Sequence, residues 1–236
     1  MKKILKRFLI CILIVFGALY LSKNDILSIK DLIFNENKTN SNEKYDLVNG
    51  SNINTNDYLI LVNKNNGLSK SYKPKNLTIP NIKFTYLVNN EERYVSEVII
   101  KPLENLVNEA KNEGIILLGN SGYRSYNSQK NLFNSRVKSQ GLENAESYVA
   151  KAGFSEHQTG LCIDITNENE FLIQGTKEGD WLENNCYRFG FIIRYPLGKE
   201  DITGIEYEPW HIRYVGEEAA KYIYENNITL EEYLEK

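Results

Sequence analysis

The sequence predicts an α+β domain, and three observations carry that prediction. Apolar stripes at helical spacing alternate with apolar runs only four to six residues long. The runs are few and short, which argues against a large doubly wound sheet. The compact texture begins near Tyr58 and continues to the last residues, about 180 residues in all, a size that suits one domain.

The elements follow in order. YLILVNK, from Tyr58, is a short apolar strand candidate, and Gly67 and Pro74 mark turns after it. Residues 94–112 carry Val95, Val98, Ile99, Leu103, Leu106, Val107 and Ala110, the stripe of a helix, which Gly114 ends. GIILLGNSGYRS then reads as a buried strand running into a turn. A helix is predicted over 126–140, with Ser125 as its cap, and another over 143–151. LCIDI is a strand candidate, 178–188 a helix, and FGFIIRYP a strand stopped by Pro196. GEEAAKYIYENN is a late helix. Thr229 with Glu232 forms a capping box for a last short one.

Residues 1–57 have a different texture. Lys2, Lys3, Lys6 and Arg7 precede an uncharged apolar run from Phe8 to Leu21. A basic flank followed by an apolar run is the pattern of an export signal. No small-residue cleavage site follows, so residues 1–22 are predicted to be an uncleaved signal anchor, a membrane helix with the domain outside the cytoplasm. Residues 23–57 are rich in Asn, Ser, Lys and Glu and read as a polar stalk, with helical spacing of apolar residues over 25–35. The net charge is −3 with no basic stripe, which speaks against nucleic acid as a partner. Cys162 and Cys186 follow no spacing motif and read as separate small apolar residues; no disulfide is predicted.

The chain contains only two histidines, His157 in SEHQTGLCIDI and His211 in EPWHIRY. Taken singly, each has an ordinary reading as a core or surface residue, and Asp164 as a solvated charge. Taken together, two histidines and a carboxylate are a ligand set for catalytic zinc, which keeps one position open for water. Glu208, three residues before His211, can serve as the base for such a water. Arg124 lies in SGYRSYNSQ, between an apolar strand and a helix, where a guanidinium can be aimed into a cleft to grip a carboxylate.

SGYRSYNSQ, SEHQTGLCIDI and YEPWHIRYVG, in that order, closely resemble the VanY-type zinc D-alanyl-D-alanine carboxypeptidases. These share a superfamily with lysostaphin-type peptidases and the hedgehog signalling domain. The family pattern S-x-H-x-x-G-x-x-x-D is matched by Ser155, His157, Gly160 and Asp164, and its E-x-x-H by Glu208 and His211. The resemblance covers most of 58–236 and implies a single zinc-peptidase domain with a small antiparallel sheet flanked by helices. It implies one zinc ion on His157, Asp164 and His211, and Glu208 as general base. It also implies Arg124 on the substrate's terminal carboxylate, Gln129 and Ser155 as secondary contacts, and Tyr207 and Trp210 as walls. The implied substrate is a peptidoglycan stem peptide ending in D-alanine. L,D-carboxypeptidases and D,D-dipeptidases share the motifs; a non-catalytic zinc-bearing wall-binding module is the alternative of another class, and the complete set of Glu208, His157, Asp164, His211 and Arg124 argues against it. Cys162 stands where the family often has alanine; its alternation with Ile163 puts it on the Asp164 side of the strand, close to the implied metal, and it is expected to be a small packing residue, since a fourth zinc ligand would close the open site.

Overall fold

The computed structural model describes residues 57–169 and 173–235; the predicted anchor, and the predicted stalk apart from Asp57, lie outside them. Among the described residues no helix is long and apolar enough to cross a membrane.

A four-stranded antiparallel sheet positions everything that follows. Its strands are β3 (Leu118–Ser121), β4 (Cys162–Thr166), β5 (Phe191–Tyr195) and β6 (Glu208–Tyr214), in the spatial order β3-β4-β6-β5. A two-stranded ribbon, β1 (Leu77–Thr78) with β2 (Val95–Ser96), lies apart from it in the hydrogen-bond order. The helices are α1 (Ile100–Asn112), α2 (Tyr126–Gln140), α3 (Leu142–Glu146), α4 (Lys177–Asn185), α5 (Glu200–Thr203), α6 (Glu217–Asn226) and α7 (Leu230–Leu234).

Strand alternation divides the sheet into two faces. Ile163, Ile165, Ile212 and Phe191 point to one face and are buried with Leu103, Leu106 and Ala110 of α1 and Leu182 of α4. Each such aliphatic side chain contributes about 1.5–3 kcal/mol by leaving water. Their neighbours Cys162, Asp164, His211 and Arg213 therefore share the opposite face, where Cys162 pairs with Arg213 and Asp164 with His211. A second apolar cluster seats α6 and α7 through Ala220, Ile223 and Leu230 against Ile192.

Several expected elements are where the sequence puts them. The helix over 126–140 is present, with the Ser125 side chain accepting from the Ser128 N–H, and the Thr229–Glu232 capping box is complete. Three expectations need correction. YLILVNK is not a strand: a 3-10 turn covers Asp57–Leu59, and the Tyr58 and Ile60 carbonyls accept from the Arg213 guanidinium instead of a strand partner. The helix expected over 94–112 starts only at Ile100, because Val95 and Ser96 pair with β1 and the Ser96 N–H donates to the Gly160 carbonyl. The helix expected over 143–151 ends at Glu146, and the Ala150 carbonyl is taken by the Gln129 side chain.

Candidate active site

Asp164 and His211 face each other across the β4–β6 ladder, and His211 Nδ1 lies 3.2 Å from Asp164 Oδ1. Glu208 is three residues from His211, so a regular strand would put the two on opposite faces. The ladder is irregular at that point: β5 advances from Ile193 to Tyr195 while its partners on β6 run from Ile212 back to Glu208. The surplus residues on β6 form a bulge, a device that re-aims side chains. As a result Glu208 Oε2 stands 3.8 Å from His211 Nδ1.

His157 comes from a 3-10 turn, Glu156–Thr159, that leads into β4. Its Nε2 lies 3.6 Å from Asp164 Oδ2. Its Nδ1 is 2.7 Å from the Gly122 carbonyl, which can only accept, so Nδ1 carries the proton and Nε2 keeps its lone pair. Two glycines permit this approach. Gly160 ends the turn at φ +65, and a Cβ there would meet the Ser96 amide at 2.9 Å. A Cβ on Gly122 would come within 2.4 Å of the Tyr94 carbonyl.

Asp164 Oδ1 and His211 Nε2 are buried without a hydrogen-bond partner among the described residues. His157 Nε2 and His211 Nδ1 each lie within 3.6 Å of a different oxygen of the Asp164 carboxylate, and two imidazoles with a carboxylate are a set that fits zinc. Burial opposes ionisation of Asp164, but His157 and His211 outweigh it and hold the carboxyl below its ordinary range. Glu208 behaves oppositely: burial first, then Asp164, raises its carboxyl to about 7, against the pull of His211.

These groups line a cleft of about 350 Å³. Arg124, Gln129, Ser155 and Trp210 line it too. The Arg124 guanidinium is fixed by Glu92 at Nε, by Gln129 at Nη1 (3.1 Å) and by Ser121 at Nη2. Three of its five N–H donors are thereby used and two remain for a ligand. Tyr207 is not among the lining residues; its hydroxyl donates to Glu183 on α4, 3.2 Å away. Tyr195 lines the cleft instead, its ring 5.0 Å from that of His211. Sequence reasoning missed Tyr195 and Glu92. Tyr195 carried a signal, since it ends an apolar strand one residue before Pro196, whereas Glu92 lies in a charged turn and carried none.

Behind the donors lies a buried ionic cluster. Glu156 Oε1 accepts from Arg194 Nε at 2.8 Å and from Arg213 Nη1 at 2.5 Å, and Arg194 also grips Glu231 of α7 with both Nη atoms. Glu156 Oε2 faces His211 Nε2 at 3.6 Å, so the cluster backs one donor of the site. Burial opposes the Glu156 charge, but Arg213 and Arg194 hold its carboxyl far below the ordinary value of 4.5; Glu231 is also lowered, by Arg194 against burial. A lowered folded-state pKa stabilises the fold above the unfolded value, and that contribution is lost as pH falls toward the folded one. The melting temperature is therefore expected to hold from pH 7 to about 5 and to drop below about 4.5. Calorimetry across that range checks it; a melting temperature still flat at pH 3 would contradict it.

Comparison with known proteins gives consistent results. The family model described as VanY, D-alanyl-D-alanine carboxypeptidase, matches residues 92–217. YodJ of Bacillus subtilis (strain 168), a protein named as a proposed carboxypeptidase, is 46% identical over 188 residues, 78% of this chain and 69% of that protein. The structure of the LD-carboxypeptidase LdcB superposes with a TM-score of 0.74 at 42% identity, covering 85% of this chain and 94% of that one. A vancomycin-resistance D,D-pentapeptidase VanY mutant in complex with Zn(II) gives 0.64 at 37% identity, covering 75% and 98%.

Proposed function

Because the chain belongs to the VanY family of D-alanyl-D-alanine carboxypeptidases, we propose that it is a zinc carboxypeptidase that removes the terminal D-alanine from peptidoglycan stem peptides. The observation that carries this reading is the grouping of His157, Asp164, His211 and Glu208 in a cleft that a half-engaged arginine also lines.

His157 Nε2, Asp164 and His211 Nδ1 would hold the zinc ion. When bound, zinc supplies a Lewis acid that polarises a carbonyl and makes a water nucleophilic near neutral pH. Glu208 takes the proton of the attacking water and delivers it to the leaving amine. Its buried position, which raises its proton affinity, suits both halves of that transfer. Arg124 uses its two remaining N–H groups to hold the substrate's free carboxylate, with Glu92, Ser121 and Gln129 keeping the guanidinium still. Fixing the carboxylate registers the last peptide bond against Glu208 and makes the reaction an exopeptidase one. Trp210 and Tyr195 wall the cleft, and Ser155 is a secondary contact.

The basic residues and apolar run of 1–22 support a signal anchor, and the polar composition of 23–57 a stalk, placing the peptidase domain of 58–236 outside the cytoplasmic membrane against the cell wall.

A second reading has its own support. LdcB, named as an LD-carboxypeptidase, matches over more of this chain and at higher identity than the VanY structure. The zinc-loaded full-length protein, incubated separately with a stem pentapeptide ending D-Ala-D-Ala and with the tetrapeptide, separates the two by mass spectrometry. Loss of one alanine from the pentapeptide is expected. Loss from the tetrapeptide alone moves the assignment to L,D-carboxypeptidase, and cleavage of neither removes the hydrolase reading.

A further inference from the structure

Cys162 is fully buried, and its surroundings are not those of a packing residue. One nitrogen of His157, one of His211 and the Cys162 sulfur all lie within 4.8 Å of one another. Cys186 provides the contrast, since it is buried in the main apolar cluster with Leu182 and Phe191. Cys162 thus lies on the Asp164 side of the strand, as its alternation with Ile163 predicts, and beside both histidines. Strand geometry explains why: Cys162 is two residues from Asp164 in β4, so both side chains leave the strand on the face that carries His211.

Two donor sets consequently share the same pair of histidines. The outer set is completed by the Asp164 carboxylate, whose side chain retains 16% exposure toward the cleft. The inner set is completed by the Cys162 sulfur and has no exposed member. Both sets have ligand character besides the cysteine itself. His157 Nδ1 is committed to Gly122, which leaves its Nε2 as the donor; His211 turns Nδ1 to the same face, 3.2 Å from Asp164 Oδ1, and that oxygen is buried without a hydrogen-bond partner among the described residues. Ligand softness distinguishes the sets: carboxylate oxygen suits harder ions, and thiolate sulfur selects soft ones.

We infer that Cys162, His157 and His211 form an inner metal site that takes soft, thiophilic cations, overlapping the zinc site proposed above. It rests on that reading only in sharing its two histidines. Binding forms a metal–sulfur bond and releases the thiol proton to solvent. The ion held there is buried, whereas one held with Asp164 borders the cleft.

Metal-free full-length protein titrated with Cd²⁺ tests this. The wild type is expected to develop a sulfur-to-cadmium charge-transfer band in the ultraviolet that saturates with one equivalent. Cys162→Ala should lack the band and bind cadmium at least about tenfold more weakly, as even indirect supports of a metal site cost that much. Cys11 and Cys186 remain in both proteins, so the difference belongs to Cys162. If Cys162→Ala does not fold, as judged by circular dichroism, Cys162→Ser retains the shape and removes the soft donor. No band in the wild type, or the same band and affinity in a folded variant, overturns the inner site. Cleavage of stem peptide by the zinc-loaded wild type is scored separately. Cleavage without the cadmium band sinks the inner site alone, and the band without cleavage sinks the hydrolase reading alone.

Discussion

Glu208→Gln is expected to lower kcat on the stem pentapeptide by a factor of about 10²–10⁴, the usual contribution of a positioned general acid–base. Glutamine keeps the size of the side chain and the hydrogen-bonding oxygen but cannot accept or return a proton. The bulge in β6 that aims Glu208 at the donors is a backbone feature and should survive the change. His157, Asp164 and His211 are untouched, so zinc content should stay at one equivalent. KM should move little, because the group proposed to hold the substrate's carboxylate is Arg124, not Glu208. A loss confined to kcat with zinc retained is the signature of a group that acts in the transition state. Steady-state kinetics with metal analysis on the same sample decide it. A variant within about tenfold of wild type in kcat would remove Glu208 from the proton transfer.

Arg194→Leu is expected to destabilise the domain by about 3–5 kcal/mol, the range for breaking a buried ion pair from one side. Arg194 is wholly buried and bonds Glu156 and both oxygens of Glu231. Its loss leaves Glu231 without its main counter-charge and Glu156 with Arg213 alone. That is a large share of a typical domain stability of about 5–15 kcal/mol. Urea unfolding measures the change. Combining Arg194→Leu with Glu231→Leu supplies the internal control, since the two residues touch and their costs should not add. A double variant at least as unstable as the sum of the single ones would show that the pair is not what holds α7 to the sheet. The same cluster reaches His211 through Glu156, so a weakened zinc affinity in the single variant would report how far that backing positions the site.

The candidate site was more legible in the sequence than much of the fold. His157 and His211 were conspicuous because the chain has no other histidine, and their motifs place Asp164 and Glu208 at fixed offsets. The caps at Ser125 and Thr229 were readable because capping is a local interaction between a side chain and an amide three residues on. YLILVNK misled because apolar alternation states what a segment can bury, not which donor its carbonyls will meet. That donor, Arg213, is more than 150 residues away. Tyr207 was expected to wall the cleft on the family resemblance, and its hydroxyl instead donates to Glu183 on α4.

By itself the sequence determined the α+β character, the family, and the residues able to bind a metal and move a proton. These follow from local periodicity and from residue types that have few alternative uses. The tertiary structure alone decided which atoms meet. The β6 bulge puts Glu208 and His211 on one side despite their odd spacing, and the Gly122 carbonyl selects the free nitrogen of His157. The pairing of β4 with β6 brings the Cys162 sulfur, which alternation alone put on the Asp164 side, beside two imidazoles. Each depends on the register of chain segments distant in sequence, and register is set by burial of the whole sheet face rather than by any short stretch.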